Sequence, residues 1–265
     1  MRRLIHQLLL ILLIAMMSQG ATARNYVLCV GLDTYPNKVG RYRVKSLHVS
    51  ANDAKVMKKV FAANGFSTSV LTDSAATLDA VLRTMKYRFY TAKSDDMVVF
   101  YFSGHGTEDG LLCYDKVLDN HAIVEVLKKC KAKTKMVIVD ACYSGIMRTD
   151  SVWHKAFGNE DVILFLSSRN QEESFETGYS NSLFTMYVER GLRGGADTNT
   201  DSKITPKELY EFVHKGVSND GLFKERQHPV MWGRFDGDRP IIIWQNKKDK
   251  KSNKTNQEIE DATNN

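Results

Sequence analysis

Cysteine, proline and net charge are all in short supply in this sequence. The four cysteines in 265 residues, Cys29, Cys113, Cys130 and Cys142, are too few for a disulfide framework. None stands in a Cys-x-x-Cys pair, so neither a zinc knuckle nor a thioredoxin-type redox pair is signalled. A Gly-x-Ser-x-Gly elbow is absent, which speaks against a serine hydrolase, and so is a Gly-x-x-x-x-Gly-Lys phosphate loop. The formal charge of +6, from 37 basic and 31 acidic residues, is too mild to require a nucleic-acid partner. No repeat of solenoid length is visible.

What is present is ordinary globular material, 43% hydrophobic, with two exceptional ends. The opening "MRRLIHQLLLILLIAMMSQGATA" has two arginines, an uncharged apolar stretch and a small-x-small ending. That layout predicts a secretory signal peptide over 1–23, cut before Arg24, rather than a membrane anchor, because the apolar run is shorter than the ~20 residues a bilayer needs. Cleavage would remove Arg2 and Arg3 and no acid, leaving +4, and would leave the mature chain secreted or periplasmic with no membrane attachment. The closing stretch 246–265 is polar, with a single isoleucine, and predicts a disordered tail.

Between them, over 24–245, short apolar runs alternate with amphipathic ones. Strands are predicted at 25–32, 66–72, 97–103, 135–140, 162–166 and 241–244, with a short hairpin arm at 111–114. Helices are predicted at 49–65, 77–92, 121–130, 182–191 and 206–216. The class is α/β, with a mostly parallel sheet covered on both faces, because runs such as "MVVFYF" and "MVIVD" are apolar without alternation.

Two of these apolar runs end alike. "FYFSGHG" delivers His105 and "IVDACYSG" delivers Cys142, each just past a strand. In an open α/β sheet ligands bind beyond the carboxyl ends of the strands, so neighbouring strands would bring both side chains to one rim. A thiol needs its proton taken and its leaving group protonated, and imidazole does both near neutral pH. Gly104 and Gly106 would allow close approach of a substrate backbone, and the amides of Gly106 and Cys142 could face a developing oxyanion. Taken singly, each motif is equally well read as a tight turn or a buried cysteine. Cys29 and Cys113 read as packing residues.

"YFSGHG" and "VDACYSG" together resemble the histidine and cysteine motifs of the caspase-like fold, shared by caspases, metacaspases and bacterial caspase-like peptidases, with legumain- and clostripain-type cousins. The similarity runs from about Asn25 to Trp244 through "SANDA", "SSRNQEESFE", "HPVMWG" and "RPIII". It implies a three-layer αβα sandwich and a cysteine endopeptidase acting on protein or peptide substrates through His105 and Cys142. Asp-Ala-Cys-Tyr-Ser-Gly departs from the Gln-Ala-Cys-[Arg/Gln/Gly]-Gly of caspases, and the spacing of 37 positions is shorter than their ~50.

The resemblance to metacaspases further implies a substrate pocket for basic P1 side chains, with Asp53, Ser103 and Asp140 at the matching positions. Read without it, Asp53 is a first-turn helix acid and Asp140 an acceptor for the turn that follows. The segment 146–161 offers Arg148 and Lys155 for self-cleavage but is short, which favours single-chain activity. A non-catalytic relative that only binds protein or peptide is the alternative. The sequence sets no oligomeric state.

Lastly, "ADTNTDSKITPKEL" puts Asp197, Asn199, Asp201, Lys203 by its carbonyl, Thr205 and Glu208 at positions 1, 3, 5, 7, 9 and 12 of an EF-hand-type loop, a spacing that could wrap Ca²⁺. Ser202 stands where glycine is usual, and "GLRGG" is expected to break the helix leading in. The rival reading is a capping box over 205–208 with Pro206 at N1. The cysteine chemistry itself needs no cofactor.

Overall fold

The computed structural model describes residues 24–157, 161–177, 180–221 and 226–243. The signal peptide and polar tail expected at the two ends lie outside them. In chain order the elements are β1 (Tyr26–Gly31), β2 (Lys38–Val39), β3 (Tyr42–Arg43), α1 (Ser50–Ala63), β4 (Ser67–Thr72), α2 (Leu78–Phe89) and β5 (Met97–Ser103). Then come β6 (Gly106–Thr107), β7 (Gly110–Leu112), β8 (Val117–Leu118), α3 (Asn120–Lys129), β9 (Thr134–Asp140), α4 (Ser151–Ala156) and β10 (Asp161–Leu166). The chain continues through α5 (Leu183–Arg190), β11 (Lys203–Ile204), α6 (Pro206–Ser218), β12 (Val230–Arg234) and β13 (Ile242–Ile243).

Six strands form the central sheet in the order β12-β10-β9-β5-β1-β4, and all neighbours are parallel except the edge pair β10 and β12. Every residue of β1 and β5 is buried, as their unbroken apolar sequence requires of strands covered on both faces. Side chains alternate between two cores. Leu28, Val30, Val98, Phe100 and Phe102 meet α2, α3 and α4 through Val81, Met85, Phe89, Ile123, Leu127 and Trp153. On the other side Val27, Val99, Tyr101, Ile138 and Phe165 meet α1, α5 and α6 through Met57, Val60, Phe61, Phe184, Leu209 and Val213. The result is the expected three-layer sandwich.

Local chemistry sets the helix ends. Thr77 and Asp119 accept from the backbone N–H of Ala80 and Ala122, at 3.3 and 2.8 Å. Thr205 and Glu208 complete a capping box with Pro206 in the first turn. The start of α1 has no local cap. Glu176, far along the chain, instead accepts from His48 and Val49 at 2.8 and 3.2 Å, tying that helix to the segment after β10.

The strand expected at 241–244 does not join the sheet: Ile242–Ile243 pairs with Lys203–Ile204 in a separate ribbon. The sixth strand is Val230–Arg234, which no expectation included. Its glycine explains the omission, since Gly233 weakens the strand pattern but is needed there. At φ +139 its added Cβ would lie 1.9 Å from the Val162 carbonyl oxygen. The arm at 111–114 belongs to the three-stranded meander of β6, β7 and β8. "GLRGG" does not break the helix outright, because α5 passes into a wider turn over Gly191–Gly195 with a kink inside it at Gly194, φ +109.

Candidate active site

The register of β5 and β9 builds the site. Ser103 and Asp140 are Cα partners at the two strand ends, and the Gly104 N–H continues the pairing by donating to the Asp140 carbonyl at 3.1 Å. His105 and Cys142 therefore leave neighbouring strands at one rim and line one narrow cavity of about 70 Å³ with Leu47, Ser174 and Ser182. Space of that size holds a few waters or one slender side chain.

His105 is oriented from both sides. Its Nε2 lies 2.8 Å from the Lys45 carbonyl oxygen, which can only accept, so Nε2 carries the proton and Nδ1 is the basic atom. Its backbone N–H donates to Tyr35 Oη at 3.1 Å, and the two rings lie 5.2 Å apart. Only glycine admits that tyrosine, because a Cβ on Gly104 would come 2.6 Å from the hydroxyl. At Gly106 a Cβ would stand 2.3 Å from the Cys142 carbonyl oxygen, so the histidine and cysteine loops are in direct backbone contact. That contact sets the Gly106 amide beside Cys142.

Cys142 is half-buried, its Sγ 4.0 Å from the Ser174 carbonyl oxygen. Burial pushes its thiol up, and the negative charges of Glu173 and Asp140 add to the effect. The resting side chain is a thiol. Tyr143 takes a left-handed conformation, φ +56, and its N–H donates to the Glu172 carbonyl at 2.9 Å. Behind it, Ser167 Oγ accepts from Ala141 N–H at 3.1 Å and Ser144 Oγ accepts from Ser168 N–H at 3.2 Å. The "SSRN" stretch is thus the brace of the cysteine turn. Glu172 anchors the next loop by accepting from Arg169 N–H and His228 N–H at 3.1 and 2.9 Å, with His228 Nδ1 at 2.8 Å.

Of the expected pocket residues, Ser103 and Asp140 line the cavity. Asp53 is wholly buried and is not among the lining side chains, but Ser103 Oγ joins it to the wall by donating to its Oδ2 at 2.9 Å. Asp53 Oδ1 accepts from Asn181 Nδ2 and Ser182 N–H at 2.9 and 3.1 Å. Asp140 Oδ1 accepts from Ser174 Oγ at 2.5 Å. Its Oδ2 accepts from Ser182 Oγ, Thr185 Oγ1 and Thr185 N–H. Burial raises both carboxyls, and the charge of Asp140 adds to the effect on Asp53, lifting it to about 7. The hydrogen bonds offset only part of this.

Sequence reasoning missed Lys45, Tyr35, Ser174, Asn181, Ser182 and Thr185. Lys45 acts through a carbonyl that any residue carries, and the others sit in unremarkable polar stretches. Only the Ser182-Leu183-Phe184-Thr185 start of a helix could have hinted at two hydroxyls on one side of its first turn.

The loop 197–208 is held by its own side chains. Ser202 adopts the left-handed φ of +61 in the usual glycine place, and Lys203–Ile204 forms a strand before the exit helix. Asp197 accepts from Asp201 N–H and Ser202 N–H, Asn199 from Asp201 N–H, and Asp201 from Lys203 N–H, at 2.9–3.1 Å. Glu208 accepts from Thr205 N–H and Oγ1 at 3.0 and 2.9 Å. Among the described residues no group of three or more His, Cys, Asp or Glu side chains is gathered as if around a metal.

Fold and rim together define an α/β protein with a histidine and a cysteine held at the carboxyl ends of adjacent parallel strands. Residues 24–236 match the caspase domain, so the chain belongs to the caspase-domain peptidase family. Its fold is similar to that of a Geobacter sulfurreducens protein, at 18% identity and TM-score 0.63 over 84% of this chain and all of that one. It is also similar to caspase-1 from Spodoptera frugiperda, at 14% identity and TM-score 0.61 over 85% and 91%. No curated protein sequence matches.

Proposed function

We propose that the protein is an exported cysteine endopeptidase that cleaves after arginine or lysine. The observation that carries the proposal is the strand register that sets His105 and Cys142 two residues beyond the paired Ser103 and Asp140. In this reading a bound peptide completes the dyad. Nδ1 of His105 takes the Cys142 proton as sulfur attacks the scissile carbonyl and returns it to the leaving amine, while Nε2 stays on the Lys45 carbonyl. The amides of Gly106 and Cys142 stabilise the tetrahedral oxyanion. Water then releases the acyl group. Asp140, backed by Asp53, supplies the negative charge that holds a P1 cation and repels a P1 acid.

Fluorogenic peptides ending in Arg, Lys and Asp, given to the mature chain beside Cys142→Ala, test this. Turnover of the first two, lost in the variant by at least about 10³-fold, is expected. Equal turnover by the variant would leave the alternative of a non-catalytic binding relative, and preference for Asp would reverse the pocket assignment. Export is tested separately by N-terminal sequencing of the secreted chain, which should begin at Arg24.

Calcium at 197–208 is a separate proposal, carried by the donor spacing and by the left-handed turn at Ser202. Binding would require Glu208 to leave Thr205. Calorimetric titration with Ca²⁺, with Asp197→Ala as control, tests it.

A further inference from the structure

The two buried acids share a residue that neither motif contains. Ser182 gives its backbone N–H to Asp53 and its hydroxyl to Asp140, which fixes the two carboxylates on either side of the same peptide unit. Every donor to the pair is a neutral hydroxyl, amide or backbone N–H. Two negative charges set this close in the interior are costly, and among the described residues no cation bonds to either, which favours one shared proton over two charges.

The hydrogen bonds say where that proton sits. Asp140 accepts four hydrogen bonds, three of them on Oδ2, whereas Asp53 accepts three, so the charge is better supported on Asp140 and the proton on Asp53. On Asp53 the oxygen with room for a proton is Oδ2, which meets only Ser103 Oγ. A serine hydroxyl can reverse, accepting from a protonated Oδ2 and donating to an ionised one. Ser103 also lines the cavity, so it joins the buried proton to the place where a substrate side chain would lie.

We propose that Asp53 and Asp140 together hold one proton while the cavity is empty and release it when a P1 guanidinium or ammonium enters, with Ser182 as the residue that positions the pair. This rests on the reading of the cavity as the P1 pocket. The exchange balances: the cation enters, Asp53 Oδ2 loses its proton to solvent, and Ser103 turns to donate to the new carboxylate. Capture of a basic side chain therefore tightens as pH rises through the titration of the pair. Among the described residues the other charged or titratable groups around the pair include Tyr101, bonded to Thr185 at 2.5 Å, with Cys29 beside it, His105 and Cys142 on the rim, and Glu173 and Glu176 on the loop after β10. Arg226 stands 4.6 Å over the Phe175 ring on that same loop.

The test uses the full mature chain with Cys142→Ala, so that peptide is bound and not cut. Calorimetry with a P1-arginine peptide, in two buffers of different protonation enthalpy, counts protons directly. Close to one proton released per peptide at about pH 6, falling toward none at about pH 9, with affinity rising up to tenfold per pH unit on the acid side, is the expected result. Asp53→Asn should abolish the release and flatten the pH dependence. Ser182→Ala should move the pH midpoint of KM in the active enzyme more than it moves kcat, which a purely structural loss would not do. Tight binding of the peptide with no proton released at either pH in the otherwise wild-type pocket would overturn the coupling. Failure to bind P1-arginine peptide while P1-aspartate peptide binds would instead overturn the P1 assignment itself.

Discussion

Ser103 and Asp140 are Cα partners at the ends of adjacent parallel strands, and His105 and Cys142 each lie two residues beyond them. The strand register thus fixes the site before any side chain of the dyad is considered. Between the loops that follow there is no slack: the Gly106 backbone approaches the Cys142 carbonyl as closely as a missing Cβ allows.

Gly106→Ala should for that reason cost activity far more than stability. The added methyl would stand 2.3 Å from the Cys142 carbonyl oxygen and must push one loop outward, misplacing the histidine, the thiol and the amide proposed as an oxyanion donor together. Steady-state kinetics on an Arg-ended peptide should show kcat/KM lower by about 10²-fold or more. The thermal midpoint should fall by only a few degrees, a loss of about 1–2 kcal/mol. Wild-type turnover would mean that the two loops do not meet as described.

The thiol of Cys142 is raised by burial first, then by Glu173 and Asp140. A raised thiol disfavours a preformed thiolate, so under the proposed mechanism the histidine would take the proton only within the substrate complex. Iodoacetamide should modify Cys142 slowly at neutral pH, its rate still climbing past about pH 9, where an ordinary cysteine approaches its plateau. Mass spectrometry of the tryptic peptide reads this site alone, because Cys29, Cys113 and Cys130 are buried. A plateau near pH 6 would indicate a stabilised thiolate.

Much of this arrangement was legible in the sequence because it follows from chain-local chemistry. "MVVFYFS" and "TKMVIVD" could only be strands covered on both faces, and the residues after them could only emerge at the carboxyl rim. Adjacency of the two strands depends on the crossover through α3 and was a condition the sequence left open, which the sheet order meets. What stayed hidden depends on contacts between distant segments. Glu176 caps a helix 128 positions away, and Ser182 reaches Asp53 across 129. The edge strand at Val230–Arg234 was masked by a glycine whose purpose appears only when the Val162 carbonyl lies against it.

Glu172 links the cysteine turn to the late "HPVMWG" segment, and its protonation should loosen both. Burial would raise its carboxyl, but the Arg169 and His228 N–H groups and the His228 ring more than offset this and hold it below its usual value. A depressed carboxyl stabilises the fold above its unfolded pKa and loses that contribution as pH falls through the folded one. Glu172→Gln should therefore lower the thermal midpoint at about pH 7 and matter progressively less below about pH 4. A deficit that is the same at both pH values would place the role in packing instead.

Asp53 has the opposite sign. Its carboxyl is raised by burial and by Asp140, to about 7, so the folded state binds a proton that the unfolded chain has already released. The stability gained from that proton is complete below the unfolded pKa and is lost as pH rises toward neutrality. Asn can keep the geometry, its Oδ1 accepting from Asn181 and Ser182 and its Nδ2 donating to Ser103. Relative to wild type, Asp53→Asn should thus gain about 1–2 kcal/mol more at about pH 8 than at about pH 5, where wild-type Asp53 is already neutral. Denaturant melts at the two pH values measure the difference, with no substrate present. A variant that loses stability more at the higher pH would mean that the buried pair stays ionised with a compensating cation, and the neutral pocket floor described above would be wrong.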